Sequence, residues 1–231
     1  QNSFGEAWGS SGYFWASYES NIRFLDAYEL TDEYSEVISY SVGAYNCCFA
    51  GDNPTIASVY ENTGTIGGVG TYVGWYYQDD GSMMMASDSC SITVEIRSSD
   101  FSELLYSQDA TFDMSGYYVV KLDEAIEVDG QFAVVITYHG ENMAIPVEGA
   151  SGSIYLPGIQ YVTSMEEGQS YIYYDNQWLD MYDSANIEYI INDLYTEGNM
   201  PPLAEGNDLE EAIAEAIAEP SGNPYVNVLF I

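Results

Sequence analysis

Short apolar runs separated by turn residues occupy most of the chain after Glu36. The runs are rich in Val, Ile and Tyr, and Gly, Asn and Asp stand between them. Several of them alternate with a period of two, as in Ile92, Val94 and Ile96. This pattern predicts an all-β fold, an antiparallel β-sandwich. We expect strands at residues 37–46, 56–64, 92–98, 117–122, 132–140 and 186–193.

One segment near the C terminus, residues 208–220, has helical spacing instead. Asp208 is a suitable N-cap, and Pro220 lies just beyond the expected last turn. The residues before this segment, 198–207, have the composition of a linker. We therefore predict one short, acidic, amphipathic helix attached to the sandwich. Its apolar stripe consists of Leu209, Ala212, Ile213, Ala216 and Ile217.

The last seven residues, 225–231, form an apolar, β-prone segment without charge. Such a segment predicts a terminal strand that must be covered, because an exposed apolar strand aggregates. Two alternatives follow. The segment is either the final strand of the chain's own sheet or an arm added to the sheet edge of a neighbouring copy. In the second alternative the assembly residues are Tyr225, Val226, Val228, Leu229, Phe230 and Ile231.

Charge excludes two classes of partner. The chain has 231 residues with a formal net charge of -34, and 47% of them are hydrophobic, which predicts a folded protein. The three basic residues are Arg23, Arg97 and Lys121. Nucleic acid and anionic lipid both require clustered cations, so neither is expected as a partner. No stretch approaches the roughly 20 apolar residues of a membrane span.

Carboxylates are abundant, with 37 Asp and Glu residues, but they assign no metal site. Asp79 with Asp80, and Asp123 with Glu124 and Asp129, are oxygen ligands of the kind that Ca²⁺ takes, although none has EF-hand spacing. Solvated turn residues are the alternative interpretation. No resident cofactor is predicted, and calcium or another divalent cation is the candidate that would screen the net charge.

Three cysteines, Cys47, Cys48 and Cys90, leave their pairing open. Neighbouring cysteines rarely bond to each other, because the resulting ring is strained. One bridge from Cys90 to Cys47 or Cys48 leaves a third thiol. The alternatives are three buried, reduced cysteines or an intermolecular crosslink, which requires an oxidising exterior.

Residues 2–19 closely resemble the C-terminal active-site signature of papain-like cysteine peptidases. The resemblance implies that Asn2 corresponds to the Asn that orients the catalytic His. In that family the nucleophilic Cys and the His precede this Asn, whereas here His139 and all three cysteines follow it. Asn2 is therefore interpreted as vestigial, and the chain is predicted not to be an enzyme. The matching positions are Asn2, Ser3, Gly5, Trp8, Gly9, Gly12 and Tyr13, with Phe4 in place of a Trp.

The rest of the chain carries a second resemblance, in residues 116–138, 144–148, 167–181 and 186–191. These segments resemble the lectin-like domain that follows a papain-like peptidase in some bacterial and archaeal surface proteins. This resemblance implies a lectin-like, jelly-roll type of sandwich with an extracellular, cell-surface or cell-envelope location. We expect a peptidase remnant at 1–34, the sandwich at 35–197, and the linker, helix and terminal strand at 198–231.

Two main functions remain open at this level, beside a third in which the chain is an enzyme fragment that reassociates noncovalently with its upstream half. The first is a non-catalytic structural subunit of the cell envelope, processed from a peptidase-like precursor, which assembles with copies of itself into a sheath, surface layer or filament. The alternative is a lectin-like module that binds surface polysaccharide or tethers a peptidase to the cell surface. Aromatic rings stack on the apolar faces of sugars, so the alternative assigns Trp75 and Trp178 to the binding site. Cross-strand aromatic pairs are the structural interpretation of the same residues.

Overall fold

A computed structural model describes residues 33–41, 45–77, 83–85, 89–148, 164–197, 214 and 222–231, all in the compact unit that begins at Glu33. Antiparallel strands dominate these ranges, which confirms the predicted all-β fold. The described elements, in chain order, are β1 (Glu36–Ile38), β2 (Tyr45–Gly51), β3 (Thr55–Val73), β4 (Trp75–Tyr77), β5 (Met83–Met85), β6 (Cys90–Ser98), β7 (Leu104–Phe112), β8 (Gly116–His139), β9 (Met143–Glu148), β10 (Ser170–Tyr174), β11 (Gln177–Asp180), α1 (Ser184–Glu197) and β12 (Val226–Phe230).

Two sheets contain the described strands. The larger sheet has the order β1-β12-β3-β8-β6-β7, with β10 also paired to β3 and β11 paired to β10. The smaller sheet has the order β2-β9-β4-β5. The predicted runs at 117–122 and 132–140 prove to be two parts of β8, because the polar residues between them pair with β3.

Two long strands, β3 and β8, give the larger sheet its sandwich form. The first part of β3 pairs with β10 and its last part with β12, while only the last part of β8 pairs with β6. The sheet therefore has two halves, which share one hydrophobic core. The shift of register between Ile66 and Gly68 lies between the halves. Buried residues from both halves meet in this core, among them Ile56, Val94, Ile136, Val69, Val120 and Val228.

Two buried tyrosines join the halves by hydrogen bonds. The hydroxyl of Tyr60 donates to the carbonyl oxygen of Val226 over 2.9 Å, and the hydroxyls of Tyr138 and Thr71 lie 2.7 Å apart. Burial raises the pKa of both tyrosines, so both phenols stay protonated. The buried hydroxyls of both tyrosines thus have hydrogen-bond partners, which avoids the desolvation penalty of an unpaired hydroxyl.

The terminal strand, β12, lies inside the chain's own sheet. It pairs with β1 on one side and with β3 on the other. Val226, Val228, Leu229 and Phe230 are buried, whereas Ile231 is exposed. In the structure this segment is therefore the final strand of the chain's own sheet, which was the first of the two alternatives. With both of its edges paired, β12 is closed to a strand from a second copy while it stays in this sheet.

The segment predicted as a strand at 186–193 is instead part of the helix α1, so that prediction was wrong. Asp183 caps the helix, since its carboxylate accepts a hydrogen bond from the backbone N–H of Ala185 over 2.9 Å. Ile190 belongs to a second buried cluster and Ile187 packs against that cluster, and the spacing of the two residues is helical. The many Ile and Tyr residues favour a strand, but capping and this packing decide the outcome. The cluster consists of Met165, Ile172, Leu179, Met181 and Ile190.

The predicted helix at 208–220 lies outside the described residues except for Ala214, which is helical. Within the described ranges, no helix has the length and apolar character needed to cross a membrane.

Candidate functional site

The two tryptophans assigned to sugar binding lie in different environments. Trp75 begins β4, is only 8% exposed and packs beside Tyr72, with ring centroids 5.9 Å apart. A buried ring offers little face to a ligand, so Trp75 is left out of the site described below, and its assignment to sugar binding stays a prediction. Trp178 lies on β11 and is partly exposed. It is therefore the tryptophan around which a site can form.

Trp178 belongs to a group of four rings, which we name the aromatic platform: Phe101, Tyr171, Tyr173 and Trp178. Phe101 stacks on Trp178, with ring centroids 4.5 Å apart and planes inclined by 27°. Tyr173 meets Trp178 at 5.1 Å, and Tyr171 meets Phe101 edge-on at 5.1 Å. Tyr173 is 43% exposed, while the other three rings are partly exposed. Mutual contacts hold the rings in place and leave Tyr173 open to solvent.

The hairpin of β10 and β11 explains why three of these rings share one face. Tyr173 is directly opposite Trp178, and Tyr171 is two residues before Tyr173. Asp175 and Asn176 form the two-residue turn with φ values of 47° and 61°, as a type I′ turn requires. Alternation along the strand then places Tyr171, Tyr173 and Trp178 on the same side.

Phe101 comes from the loop between β6 and β7 and reaches across the sheet to the platform. It has a φ of 65°, a left-handed conformation that a bulky residue rarely adopts. Arg97 stabilises it, because its guanidinium donates to the carbonyl oxygen of Phe101 over 3.0 Å. Glu95 in turn holds Arg97 through a contact of 2.9 Å. The loop is thus positioned by a charged pair on β6.

The carboxyl of Asp100, next to Phe101, is expected to titrate with a pKa of about 2. Hydrogen bonds from the hydroxyls of Ser98 and Ser102 and from the backbone N–H of Ser102 stabilise its charged form. Since the folded-state pKa is lowered, the stabilisation of this loop is present at neutral pH and is lost as the pH falls through about 2.

NMR titration of the Asp100 carboxyl carbon measures this pKa. Changing Ser98 to alanine removes the largest of the three causes, so S98A is expected to raise the pKa toward its ordinary value. An Asp100 that titrates in the ordinary range for aspartate in the unchanged protein would contradict the described loop.

A row of directly opposed residues crosses six neighbouring strands and begins at the platform. Antiparallel partners share a face of the sheet, so these side chains all point to the same side. All of them are partly or fully exposed. We name this set the face row; from β11 to β7 it contains Trp178, Tyr173, Thr55, Thr137, Thr93 and Asp109.

Hydrogen bonds connect the polar members of the face row. The hydroxyls of Thr55 and Thr137 lie 2.9 Å apart. Thr93 donates to the carboxylate of Asp109 over 2.6 Å, and its oxygen lies 2.7 Å from Nε2 of His139. Because the carboxylate takes the hydroxyl proton of Thr93, Nε2 of His139 must donate to Thr93. The second oxygen of Asp109 and the remaining lone pairs of the threonines are then left as acceptors.

The sequence pattern assigns no binding role to the threonines, to Asp109 or to His139. His139 lies exposed at the end of β8, next to the face row. The available signal was an outward-facing Thr in each of three strands. That signal has meaning only when the register between distant strands is known, because the three residues are separated by up to 82 positions.

None of the other predicted site residues whose side chains the structure describes is a member of the face row. Asn2 lies outside the described residues, as do the side chains of Cys47 and Cys48. Cys90 is buried, and its sulfur lies 3.5 Å from the carbonyl oxygen of Met114. Disulfide pairing therefore stays a prediction.

In the part of the chain that the structure describes, no three His, Cys, Asp or Glu side chains lie close enough together to form a metal site. Asp79 and Asp80 lie outside that part. The carboxylate of Asp129 accepts a hydrogen bond from Thr63 over 3.0 Å. Specific metal ligands remain unassigned.

Residues 53–193 match the model of the lectin-like domain family. The whole aromatic platform and the whole face row fall within these residues. No curated protein matches the chain.

The solved structures that resemble the chain include two of a clostridial protein. The clostridial cysteine protease Cwp84 after propeptide cleavage is 15% identical, with a TM-score of 0.56 over 99% of this chain and 50% of that chain. The cysteine protease and lectin-like domains of Cwp84, a surface layer associated protein of Clostridium difficile, give 15% identity and a TM-score of 0.44 over 78% of this chain and 32% of that chain. The chain thus spans half or less of these proteins, and the first of them shares its fold.

Proposed function

This chain belongs to the family of lectin-like domains, and from that premise we propose that it is a non-catalytic carbohydrate-binding module. The observation that carries the proposal is the face row, in which exposed rings continue directly into a line of hydroxyl and carboxylate groups across one sheet face. Sugars have apolar ring faces and hydroxyl edges, so they require these two kinds of group side by side.

The platform supplies the apolar half of such a site. Phe101 covers one face of Trp178, so a sugar ring stacks on the exposed surface of Tyr173 and on the remaining exposed part of Trp178. The rings are held before a ligand arrives, which reduces the conformational entropy lost on binding. Hydroxyls of the sugar units that follow along the row then donate to the threonines and to Asp109.

We place this activity at the cell surface. Cwp84, whose fold the chain shares, is a surface layer associated protein. A module that binds polysaccharide in such a setting holds the domain joined to it at the cell surface. Residues 2–19 resemble a peptidase signature, so we propose that the tethered domain is a peptidase.

Glycan-array binding tests the proposal with three variants. Trp178→Ala and Tyr173→Ala remove the platform, and each is expected to weaken binding by about 30-fold, as loss of an aromatic anchor worth about 2 kcal/mol predicts. Tyr118→Ala is the matched control, because Tyr118 is partly exposed and also stacks on a phenylalanine, Phe112, but lies opposite Thr71, outside the platform and the face row. The control is expected to bind as the unchanged protein does.

Far-UV circular dichroism establishes that all three variants are folded. No reproducible glycan, or equal binding by the platform variants and the control, would overturn the proposal.

A self-assembling envelope subunit is the second candidate, and one observation favours it. Among the described strands, β7 pairs only with β6, and its Leu104 and Leu105 are exposed. The strand contains no Lys or Pro to block edge pairing. Light scattering over a range of protein concentrations tests this candidate, since edge pairing predicts a mass that grows with concentration and a constant monomer mass rejects it.

A further inference from the structure

The length of the face row defines how much ligand it can contact. From Tyr173 to Asp109 the row crosses β10, β3, β8, β6 and β7, which is four steps between neighbouring strands. Strands lie about 4.8 Å apart, so the row is about 19 Å long. An extended chain of pyranose sugars advances by a similar distance per unit, and the row therefore matches about four units.

The chemistry of the row favours a ligand rich in hydrogen-bond donors. Asp109 is an acceptor only, and the hydroxyl proton of Thr93 is already donated to it. The imidazole N–H of His139 is likewise directed at Thr93. Sugar hydroxyls donate readily to the acceptors that remain. Groups that only accept, such as carboxylates and sulfates, find few donors here.

The charges around the row act in the same direction. The described basic side chains are Arg97, which is paired with Glu95, and Lys121, which contacts Glu33. Lys121 is opposite Gly68 in the other half of the large sheet, away from the face row. No described cation is a member of the row, and Arg97, which supports Phe101 beside the platform, is paired with Glu95. Asp109 lies at the far end of the row, and the whole chain carries a net charge of -34. An acidic ligand meets a repulsive field.

From these observations we infer that the face row binds an extended, uncharged oligosaccharide of about four sugar units and discriminates against acidic ones. The inference rests on the proposed function, since it specifies the ligand of the same site. The first sugar lies on the platform, and the later units follow the threonines toward Asp109.

Calorimetric titration with length-graded oligosaccharides tests the length of the site. The probes are neutral glucose, mannose, galactose and N-acetylglucosamine series from dimer to hexamer. Each added unit up to the fourth is expected to lower the Kd about fivefold, as one added hydrogen bond predicts, and further units are expected to add little. A series that already reaches its limit at the dimer overturns the inference but leaves the proposed function standing.

Acidic probes test the charge preference. Oligomers of galacturonic acid, matched in length to the galactose series, are expected to bind at least tenfold more weakly at low salt. Added salt should narrow this gap, because the Debye length falls from about 30 Å at 0.01 M to about 10 Å at 0.1 M. Equal affinity for both series would contradict the inference.

A substitution at the far part of the row separates this inference from the proposed function. Thr93→Val removes the hydroxyl that joins Asp109 and His139 but retains the shape of the side chain. It is expected to abolish the gain from the third and fourth units while dimer binding on the platform persists. Thr63→Val is the matched control, because Thr63 makes the same kind of bond to Asp129 outside the row.

The combined outcomes are distinct. Loss of the length dependence in Thr93→Val but not in Thr63→Val supports the inference. An unchanged length dependence in Thr93→Val overturns it. Absence of binding by every probe and every array glycan overturns the proposed function together with it.

Discussion

Replacing Phe230 with alanine is expected to lower the free energy of unfolding by about 3–5 kcal/mol, the usual result of truncating a buried aromatic ring. Phe230 is 3% exposed and meets Phe132 edge-on, with ring centroids 6.4 Å apart. Its ring lies so close to Gly64 that a Cβ there would be 2.9 Å from it. The surrounding sheet cannot close over the vacated volume, so the cavity adds to the lost burial.

Urea unfolding of Phe230→Ala and of Ile231→Ala measures this effect against a neighbour in the chain. Ile231 is 54% exposed, and its truncation is expected to change stability by less than about 1 kcal/mol. Stability should also be independent of protein concentration, because β12 pairs with β1 and β3 of its own chain. Similar losses for both variants, or stability that rises with concentration, would instead favour an arm exchanged between copies.

Replacing Asn223 with alanine is expected to cost about 3–5 kcal/mol through lost hydrogen bonds rather than lost apolar contact. Its side chain accepts from Ser170 over 2.8 Å and donates to the backbone carbonyl of Ser164 over 2.8 Å. It also donates to the carboxylate of Glu148 over 3.4 Å. Ser170, Glu148 and Asn223 are each at most 1% exposed, so water cannot replace the missing partner.

Asn227→Ala provides the matched control for Asn223→Ala. Asn227 is only partly buried and donates to the hydroxyl of Tyr117 over 2.8 Å. Its replacement is expected to cost about 1 kcal/mol, the value of an ordinary hydrogen bond. Chemical denaturation of both variants compares them directly. If both variants lose about 1 kcal/mol of unfolding free energy, the hydrogen bonds of buried Asn223 do not specially stabilise the junction of β9, β10 and the C-terminal segment.

The alternation of apolar residues was sufficient to predict the fold class and the terminal strand. Ile92, Val94 and Ile96 are all buried, as a period of two requires. It was insufficient for α1, where capping by Asp183 and packing of Ile190 outweighed the strand preference of Ile and Tyr. Local sequence carries the propensity of a segment, whereas tertiary packing decides between competing propensities.

The candidate site was predictable only in part. Trp178 was chosen because large aromatic rings stack on sugars, and it does lie partly exposed in the platform. The same reasoning assigns Trp75, yet Trp75 is buried. Composition does not distinguish a core ring from a surface ring, so it does not separate the two tryptophans. The face row depends on the register of six strands, which depends on the long-range pairing of β3 with β8.

The most direct test of carbohydrate binding at the platform is an NMR titration that follows the indole N–H resonances of Trp75 and Trp178. The ligand is the longest neutral oligosaccharide of the series that binds best, and Trp178→Phe assigns the Trp178 signal. The account predicts that the Trp178 resonance shifts with a saturable dependence on ligand concentration while that of buried Trp75 stays in place. A Trp178 resonance that does not move while the ligand binds would contradict it.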